Sequence, residues 1–186
     1  MNKAANVSAG KPKVGGAIYT APVGTVLPTT ALESLDPAFV GLGYVSDDGL
    51  TNSTAMETEK IKAWGGDTVL AVQTSKEDTW QIKLIEVLNE DVLKAVYGSA
   101  NVTGDLATGL TVEANSDEAE ENSWVIDMVM RNNTAKRVVL PKAKITEIGD
   151  ITYTDNDVTG YEITLTAFPD SSGNTHYEYL KSDSES

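Results

Sequence analysis

The sequence contains no cysteine and a single histidine, His176, among its 186 residues. The lack of cysteine excludes a disulfide framework, a thiolate nucleophile and any zinc site built on cysteine. One histidine cannot form a histidine-cluster metal site, and no Gly-x-Ser-x-Gly turn accompanies it. His176 also lies in a segment rich in glycine, serine and asparagine, where a rigid catalytic base is not expected. We therefore predict no enzymatic activity, no metal and no cofactor.

Basic residues are also scarce, with 14 Lys and Arg against 28 Asp and Glu and a formal net charge of −14. Binding of nucleic acid through its phosphates needs clustered lysine and arginine, so this composition argues against it. The same charge suits a surface that repels phosphate. No apolar run approaches the ~18 residues of a membrane span, and the first ten residues lack the apolar region of a secretory signal. We expect synthesis in a cytoplasm and no membrane insertion.

Short alternating segments are the main pattern. Tyr161, Ile163 and Leu165 alternate with polar residues, and Trp80, Ile82 and Leu84 repeat this period of two. Further strands are expected over 14–20, 40–45, 124–130, 137–140 and 144–153. About eight to ten strands with little helix indicate a mainly β protein, an antiparallel β-sandwich with long loops. One domain, 14–170, is expected between an N-terminal arm, 1–13, and a C-terminal tail, 171–186.

A single segment, 89–98, predicts a convincing helix. Asn89 is a suitable N-cap, and the acidic residues Glu90 and Asp91 follow in the first turn, where the helix dipole favours anions. An apolar stripe comes next and Gly98 ends the segment. We expect a short α-helix on the flank of the sandwich.

Turn residues predict where strands end. Residues 21–37 carry three prolines and a glycine among Thr and Ser, which is typical of a long connection. Asp47-Asp48-Gly49 is a turn signal that should end the strand over 40–45. Pro141 should stop the strand that begins at Arg137.

Residues 56–74 predict a hairpin with an unusual composition. Glu57, Glu59 and Ile61 alternate with Thr58, Lys60 and Lys62, and glycines separate this segment from a second strand that begins at Val69. Few of these side chains are bulky and apolar. A hairpin with so little core to bury is either a solvated flap or a piece that packs on another chain.

Two acidic segments are candidate binding sites. Asp155 to Gly160 begins like a calcium loop, but Thr166 stands where the bidentate glutamate is required, so a turn between two strands is favoured. Asp117-Glu118-Ala119-Glu120-Glu121 packs four carboxylates into five residues. Such a block is usually a solvated loop, and the functional alternative is a charged rim or lumen surface.

The three tryptophans could form a platform on which a sugar stacks. Trp80 and Trp124 share their faces with aliphatic residues, which favours the core for both. Trp64 stands beside Gly65-Gly66 and could pack on a neighbouring subunit. A monomeric β-sandwich binding module, of carbohydrate-binding or adhesin type, therefore stays open as an alternative function.

The order of several segments resembles the major tail, or tail tube, proteins of long non-contractile-tailed bacteriophages. The resemblance covers about 11–170 and rests on these segments: KPKVGGAIYTAPVGTVLPT from Lys11, GYVSDDGLTNS from Gly43, KAWGGDTVLAVQTSKEDTW from Lys62, LIEVLNEDVLKAVYG ending at Gly98, and ITYTDNDVTGYEITLTAFPD from Ile151. It implies a β-sandwich subunit with one flanking helix and no enzymatic activity. Such subunits assemble into stacked six-fold rings that form a hollow tail tube for phage DNA.

The resemblance also sets expectations for partners and surfaces. The partners would be further copies of the chain, a tape-measure protein, other tail proteins and double-stranded DNA in non-adhesive passage, all within the virion. Glu57 and Glu59 are the candidate lumen-lining residues, and the competing assignment turns the lysines between them inward. Candidate contacts between subunits lie at the hairpin turn and in the arm: Trp64, Gly65, Gly66, Asp67, Lys11, Pro12 and Lys13.

Overall fold

The computed structural model describes residues 2–14 and 16–182. Met1, Gly15 and residues 183–186, which belong to the predicted arm, domain and tail, lie outside the described residues. The described residues form one α-helix, α1 (Glu90–Tyr97), and eleven β-strands. The strands are β1 (Lys11–Pro12), β2 (Ile18–Pro22), β3 (Val40–Gly41), β4 (Val45–Lys62), β5 (Thr68–Leu84), β6 (Val102–Asp105), β7 (Gly109–Val112), β8 (Asn122–Met130), β9 (Thr134–Ile148), β10 (Tyr161–Ala167) and β11 (Tyr177–Ser182).

Nine of these strands form one antiparallel sheet in the order β3-β2-β8-β9-β10-β5-β4, with β1 added to β8 and β11 added to β9. The other two, β6 and β7, pair as a separate hairpin. One face of β2, β8 and β9 and one face of β5 and β10 contribute to the same apolar core, so the sheet curls over itself into a sandwich. The predicted fold class, mainly β and antiparallel with one flanking helix, is confirmed.

Helix α1 lies on the main core at the predicted place. The Asn89 side chain accepts a hydrogen bond from the Asp91 amide at 3.0 Å. At the other end, the Gly98 amide donates to the Lys94 carbonyl oxygen and closes the last turn. Val92, Leu93 and Val96 are buried against the sheet. Because the caps and the stripe are local features, the sequence is enough to locate this element.

The opposite face of β8 and β9 is covered by the long connection between β2 and β3. Arg137, only 2% exposed, makes a bidentate ion pair with Asp127 at 2.6 and 2.8 Å. The same guanidinium donates to the carbonyl oxygens of Thr30, at 3.2 Å, and Glu33, at 2.7 Å. This buried pair therefore fixes the proline-rich connection to the sheet.

The prediction that Asp47-Asp48-Gly49 ends a strand is wrong. These residues lie inside β4, where the pairing with β5 passes from Val45↔Leu84 to Leu50↔Ile82 across an irregular bulge. Gly49 has a φ of 80°, a conformation that costs glycine little. The predicted strand over 40–45 is also divided, since β3 pairs with β2 and β4 pairs with β5.

Pro141 does not stop a strand, because β9 runs through it from Thr134 to Ile148. The pairing of β9 with β8 is irregular there, between Asn122↔Ala143 and Trp124↔Leu140, and the Ser123 hydroxyl donates to the Pro141 carbonyl at 2.7 Å. On its other edge β9 changes partner from β11 to β10 near this point. A proline is tolerated at such an irregularity because fewer ladder hydrogen bonds are required of it.

Candidate assembly surface

The hairpin of β4 and β5 extends far beyond the core. Its pairing runs past Leu50↔Ile82 to Lys62↔Thr68, with register shifts after Glu57 and after Ile61, so it is longer than the predicted 56–74. Every residue from 51 to 77 is exposed, whereas Asp78 is buried. Ten residues of β5, at about 3.3 Å each, project the hairpin by about 33 Å. Residues 51–77 are called the projecting hairpin below.

Both edges of the projecting hairpin are unpaired within the part of the chain that the structure describes. β4 is the last strand of the sheet, and β10 pairs with β5 only from Asp78 onward. Two rows of backbone N–H and C=O groups are therefore available for pairing. Long edges of this kind are templates for the addition of a strand from another chain.

The hairpin ends in the turn Ala63-Trp64-Gly65-Gly66-Asp67. The Ala63 amide donates to the Asp67 carbonyl oxygen at 2.8 Å, and the Gly66 amide donates to the Ala63 carbonyl oxygen at 3.0 Å. Gly65 and Gly66 both have positive φ, near 115° and 99°, which explains why glycines occupy this turn. The Trp64 side chain is wholly exposed at the tip.

The register divides the charges of the projecting hairpin between its two faces. Directly paired residues share a face, and consecutive residues of β4 alternate over 55–62, because both register shifts leave the extra residue on β5. Glu57, Glu59 and Glu77 lie on one face, called the acidic face, where the Ser75 hydroxyl donates to Glu57 at 3.1 Å. The lysines lie on the other face, called the lysine face: Lys60, Lys62 and Lys76.

The acidic face continues onto the outer surface of the core sheet. Trp80 and Ile82 point into the core, so Thr79 and Gln81 lie on the same face as Glu77. The Gln81 amide donates to Glu162 of β10 at 2.5 Å. Thr164, Thr166 and Thr146 complete this surface, called the polar wall, and the last two share a hydrogen bond of 2.8 Å. The lysine face, by contrast, is continuous with the core-facing side of β5.

The acidic segment 117–121 folds onto the β9 end of the polar wall. Glu118 pairs with Lys144 at 2.6 Å and Glu121 pairs with Lys142 at 2.9 Å. The hydrogen bond and charge of Lys144 hold the pKa of Glu118 below its ordinary value, and the bond to Glu118 raises the pKa of Lys144. Half of the four carboxylates are thus ion-paired, so the interpretation as a purely solvated loop is incomplete.

The base of the projecting hairpin is held by a buried carboxylate. Asp78 is 1% exposed and accepts hydrogen bonds from Asn52 at 2.8 Å and Thr175 at 2.7 Å. Nδ1 of His176 lies 2.5 Å from the same carboxylate, and its ring meets the edge of Trp80. Burial acts to raise the pKa of Asp78, but the hydrogen bonds outweigh it and lower the pKa. His176 therefore ties the C-terminal segment to the hairpin, a role that no local sequence signal indicated.

The predicted contact residues of the arm touch their own chain. Lys11 and Pro12 pair with Val129 and Met128 of β8. The Lys13 ammonium lies 3.4 Å from Asp127. The arm also borders an open cavity of about 590 Å³ between β8 and the bulge of β4. The structure thus brings these residues together with β8 and away from the hairpin tip.

The structure does not bring the remaining candidate binding residues together into one site. Trp80 and Trp124 are buried, as their patterns predicted, so the three tryptophans do not form a shared platform. Residues 155–160 lie in the connection between β9 and β10. Within residues 2–14 and 16–182, no group of three or more His, Cys, Asp or Glu could hold a metal. No helix of these residues is long and apolar enough to cross a membrane.

A family model described as "Phage tail tube protein" matches residues 1–186, the whole chain. No curated protein matches the sequence.

Proposed function

This chain belongs to the phage tail tube protein family, and we propose that six copies close into a ring and that the rings stack into a hollow tube for DNA. Membership makes the chain a structural protein of the phage tail, which assembles with itself and with other tail proteins. The ring, its stacking and the passage of DNA are the proposal. The tape-measure protein is proposed to occupy the same lumen.

The projecting hairpin is the observation that carries the proposal. It exposes all of residues 51–77, and no other described strand pairs with either of its edges. Pairing the β4 edge of one copy with the β5 edge of the next would satisfy both rows of backbone groups. An interface that joins two different edges is heterologous, and it closes into a ring when the rotation between copies permits.

The polar wall is proposed to face the lumen, with Glu57 and Glu59 at its hairpin end. A barrel built from these sheets turns one face to the lumen, and the opposite face of β5 and β10 already covers the apolar core. The acidic face of the hairpin is continuous with the polar wall of the core sheet. Its carboxylates would therefore face the lumen as well and meet the phosphates of the passing DNA. At physiological salt their repulsion reaches about 8 Å, which suits a non-adhesive lining.

The contacts between subunits are proposed at two places. Trp64, Gly65, Gly66 and Asp67 form the tip of the projecting hairpin, which extends beyond the subunit's own core. The arm segment of Lys11, Pro12 and Lys13 lies at the surface beside the cavity near β4. An apolar side chain as exposed as Trp64 is typical of a surface that becomes buried on assembly.

A shortened hairpin tests the proposal. Glu57 and Ser75 are directly paired, so replacing residues 58–74 with Asn-Gly closes a two-residue turn at that pair. We expect the full-length protein to form rings or tubes by negative-stain electron microscopy and light scattering, and the shortened variant to stay monomeric. The removed residues are exposed, so circular dichroism and the thermal midpoint serve as the folding control.

Two results would contradict the proposal. Rings formed equally well by the shortened variant would show that the hairpin edges are not the interface. A full-length protein that stays monomeric at every concentration, and whose tryptophan fluorescence changes with a glycan, would favour the binding module instead.

A further inference from the structure

The projecting hairpin and the connection over 149–160 lie at opposite ends of the sheet. The pairing of β5 with β10 begins at Asp78↔Ala167, where the hairpin leaves the core, and ends at Leu84↔Tyr161. The connection over 149–160 immediately precedes Tyr161. Six steps of about 3.4 Å separate the two ends by about 20 Å, and the hairpin extends away from the connection. The two features of one chain therefore cannot reach each other.

The lysine face carries charge that no other described residue compensates by an ion pair. Lys60, Lys62 and Lys76 are exposed, and none of them forms an ion pair with another described residue. Met56, on the same face, is 64% exposed. A face with three cations and the exposed side chain of Met56 suits an acidic partner that also offers apolar contact.

The connection over 149–160 has the complementary character. Asp150, Asp155 and Asp157 are exposed and form no ion pair with a described residue. The sequence from 145 to 180 contains no lysine or arginine. Tyr153 and Val158, which lie among these aspartates, are 75% and 57% exposed. The connection thus presents negative charge and apolar surface together.

We propose that the lysine face of the projecting hairpin docks onto the connection over 149–160 of a second copy in the next ring. This inference rests on the proposed tube and names the contact that stacks its rings. Two complementary surfaces at opposite ends of one subunit make a heterologous contact, which repeats without limit along an axis. The lysine face is available for it because the opposite, acidic face is the one assigned to the lumen. Opposite charges fix the register and direction of stacking, and the apolar side chains are buried in the contact.

Charge reversal tests the contact. One variant combines Lys60→Glu, Lys62→Glu and Lys76→Glu, a second combines Asp150→Lys, Asp155→Lys and Asp157→Lys, and a third carries all six changes. All of these side chains are exposed, so the folds should be kept, and circular dichroism checks this. The matched control reverses three exposed basic residues away from the hairpin that form no ion pair with a described residue: Lys3, Arg131 and Lys181.

We expect each three-residue variant to form rings, and to need a concentration about tenfold higher or more before those rings stack into tubes. The six-residue variant should recover tubes because the reversed charges again complement each other. The control should stack like the unmodified protein. Rising salt should weaken the stacking of the unmodified protein.

The outcomes separate this inference from the proposed function. Rings that stack normally in either three-residue variant, or that fail to stack in the six-residue variant, would overturn the docking contact while leaving the ring intact. If the unmodified protein forms no rings, the proposed function fails and the docking contact fails with it. Isolated rings of the unmodified protein are also tested for retention of duplex DNA. If the lysine variant loses that retention and its stacking is unchanged, the partner of the lysine face is a nucleic acid and not a second copy.

Discussion

The buried ion pair of Arg137 and Asp127 allows the fold to be tested by one substitution. Arg137→Met keeps an unbranched apolar stem and removes the guanidinium with its charge. The Asp127 carboxylate, 3% exposed, would lose both bonds from the guanidinium, and among the described residues it would keep Lys13, at 3.4 Å from one oxygen. The carbonyl oxygens of Thr30 and Glu33 would lose their donor as well. The connection would keep the apolar packing of Leu27, Leu35 and Phe39 in the cluster that contains Val125 and Val139.

The expected cost follows from leaving a charge buried. Removing one partner of a buried ion pair costs about 3–5 kcal/mol. In a domain of this size each kcal/mol lowers the thermal midpoint by about 2–4 °C, so we expect a loss of about 6–20 °C. Combining Arg137→Met with Asp127→Leu removes both charges and should recover most of the loss, because the penalty comes from the unpaired ion.

Urea denaturation followed by tryptophan fluorescence measures these differences. Lys136→Ala is the matched control, because Lys136 precedes Arg137 on β9 and pairs with Glu178 at 2.8 Å on the surface. Its loss should cost at most about 1 kcal/mol. The reasoning is refuted if Arg137→Met costs no more than Lys136→Ala, or if the double variant is as unstable as Arg137→Met alone.

Leu165→Ala removes a fully buried core side chain and should lower the free energy of unfolding in urea by about 2–5 kcal/mol; a loss below about 1 kcal/mol would mean that the core is not packed there. Trp64→Ala should leave the thermal midpoint unchanged, because the side chain is exposed, yet shorten or abolish tubes in electron micrographs; unaltered tubes would remove Trp64 from the interface. Glu57→Lys with Glu59→Lys should give tubes that retain duplex DNA at low salt and release it at high salt, and tubes that never retain DNA would contradict the lumen assignment. The pKa of Asp78 in the folded protein lies below its ordinary value of 3.8, so its hydrogen bonds contribute fully above that pH and lose their effect as the pH falls through the lower value. Asp78→Asn should therefore flatten the acid dependence of stability followed by tryptophan fluorescence, and an unchanged dependence would count against this role.

Elements with local signals were predictable from the sequence. Helix α1 has its cap, its first-turn acids and its terminal glycine within ten consecutive residues. Strand β10 alternates apolar and polar residues throughout, and its burial follows the same alternation. The hairpin was also visible as a charged, alternating strand that a glycine turn separates from a second strand beginning at Val69. In each case the physical cause acts between near neighbours in the chain.

Elements that depend on a partner strand were not predictable from the sequence. Pro141 is a stop signal when β9 is considered alone, but the strand continues because the ladder is irregular at Ser123 and because β9 changes partner there. Asp47 and Asp48 suggest a turn, yet β5 holds the chain on both sides of them and makes the segment a bulge. Local propensity is a weak term that cross-strand pairing overrides.

The candidate assembly surface was likewise predictable only in part from the sequence. The alternation of Glu57 and Glu59 with Lys60 and Lys62 was enough to place the two charges on opposite faces of a strand. The sequence could not say which face continues into the core, because that depends on the register with β5 and on the burial of Trp80.

The amino-acid sequence by itself determined the β class, the single helix, the hairpin and its segregated charge, since each follows from periodicity and turn chemistry over short distances. Only the tertiary structure decided how far the hairpin projects, which of its edges remain unpaired and which buried groups hold its base. Asp78 meets His176 across 98 positions of the sequence, and Arg137 reaches carbonyl groups more than 100 positions away. Such contacts form between side chains that no local pattern relates, and they exist only once the sheet has curled around its core.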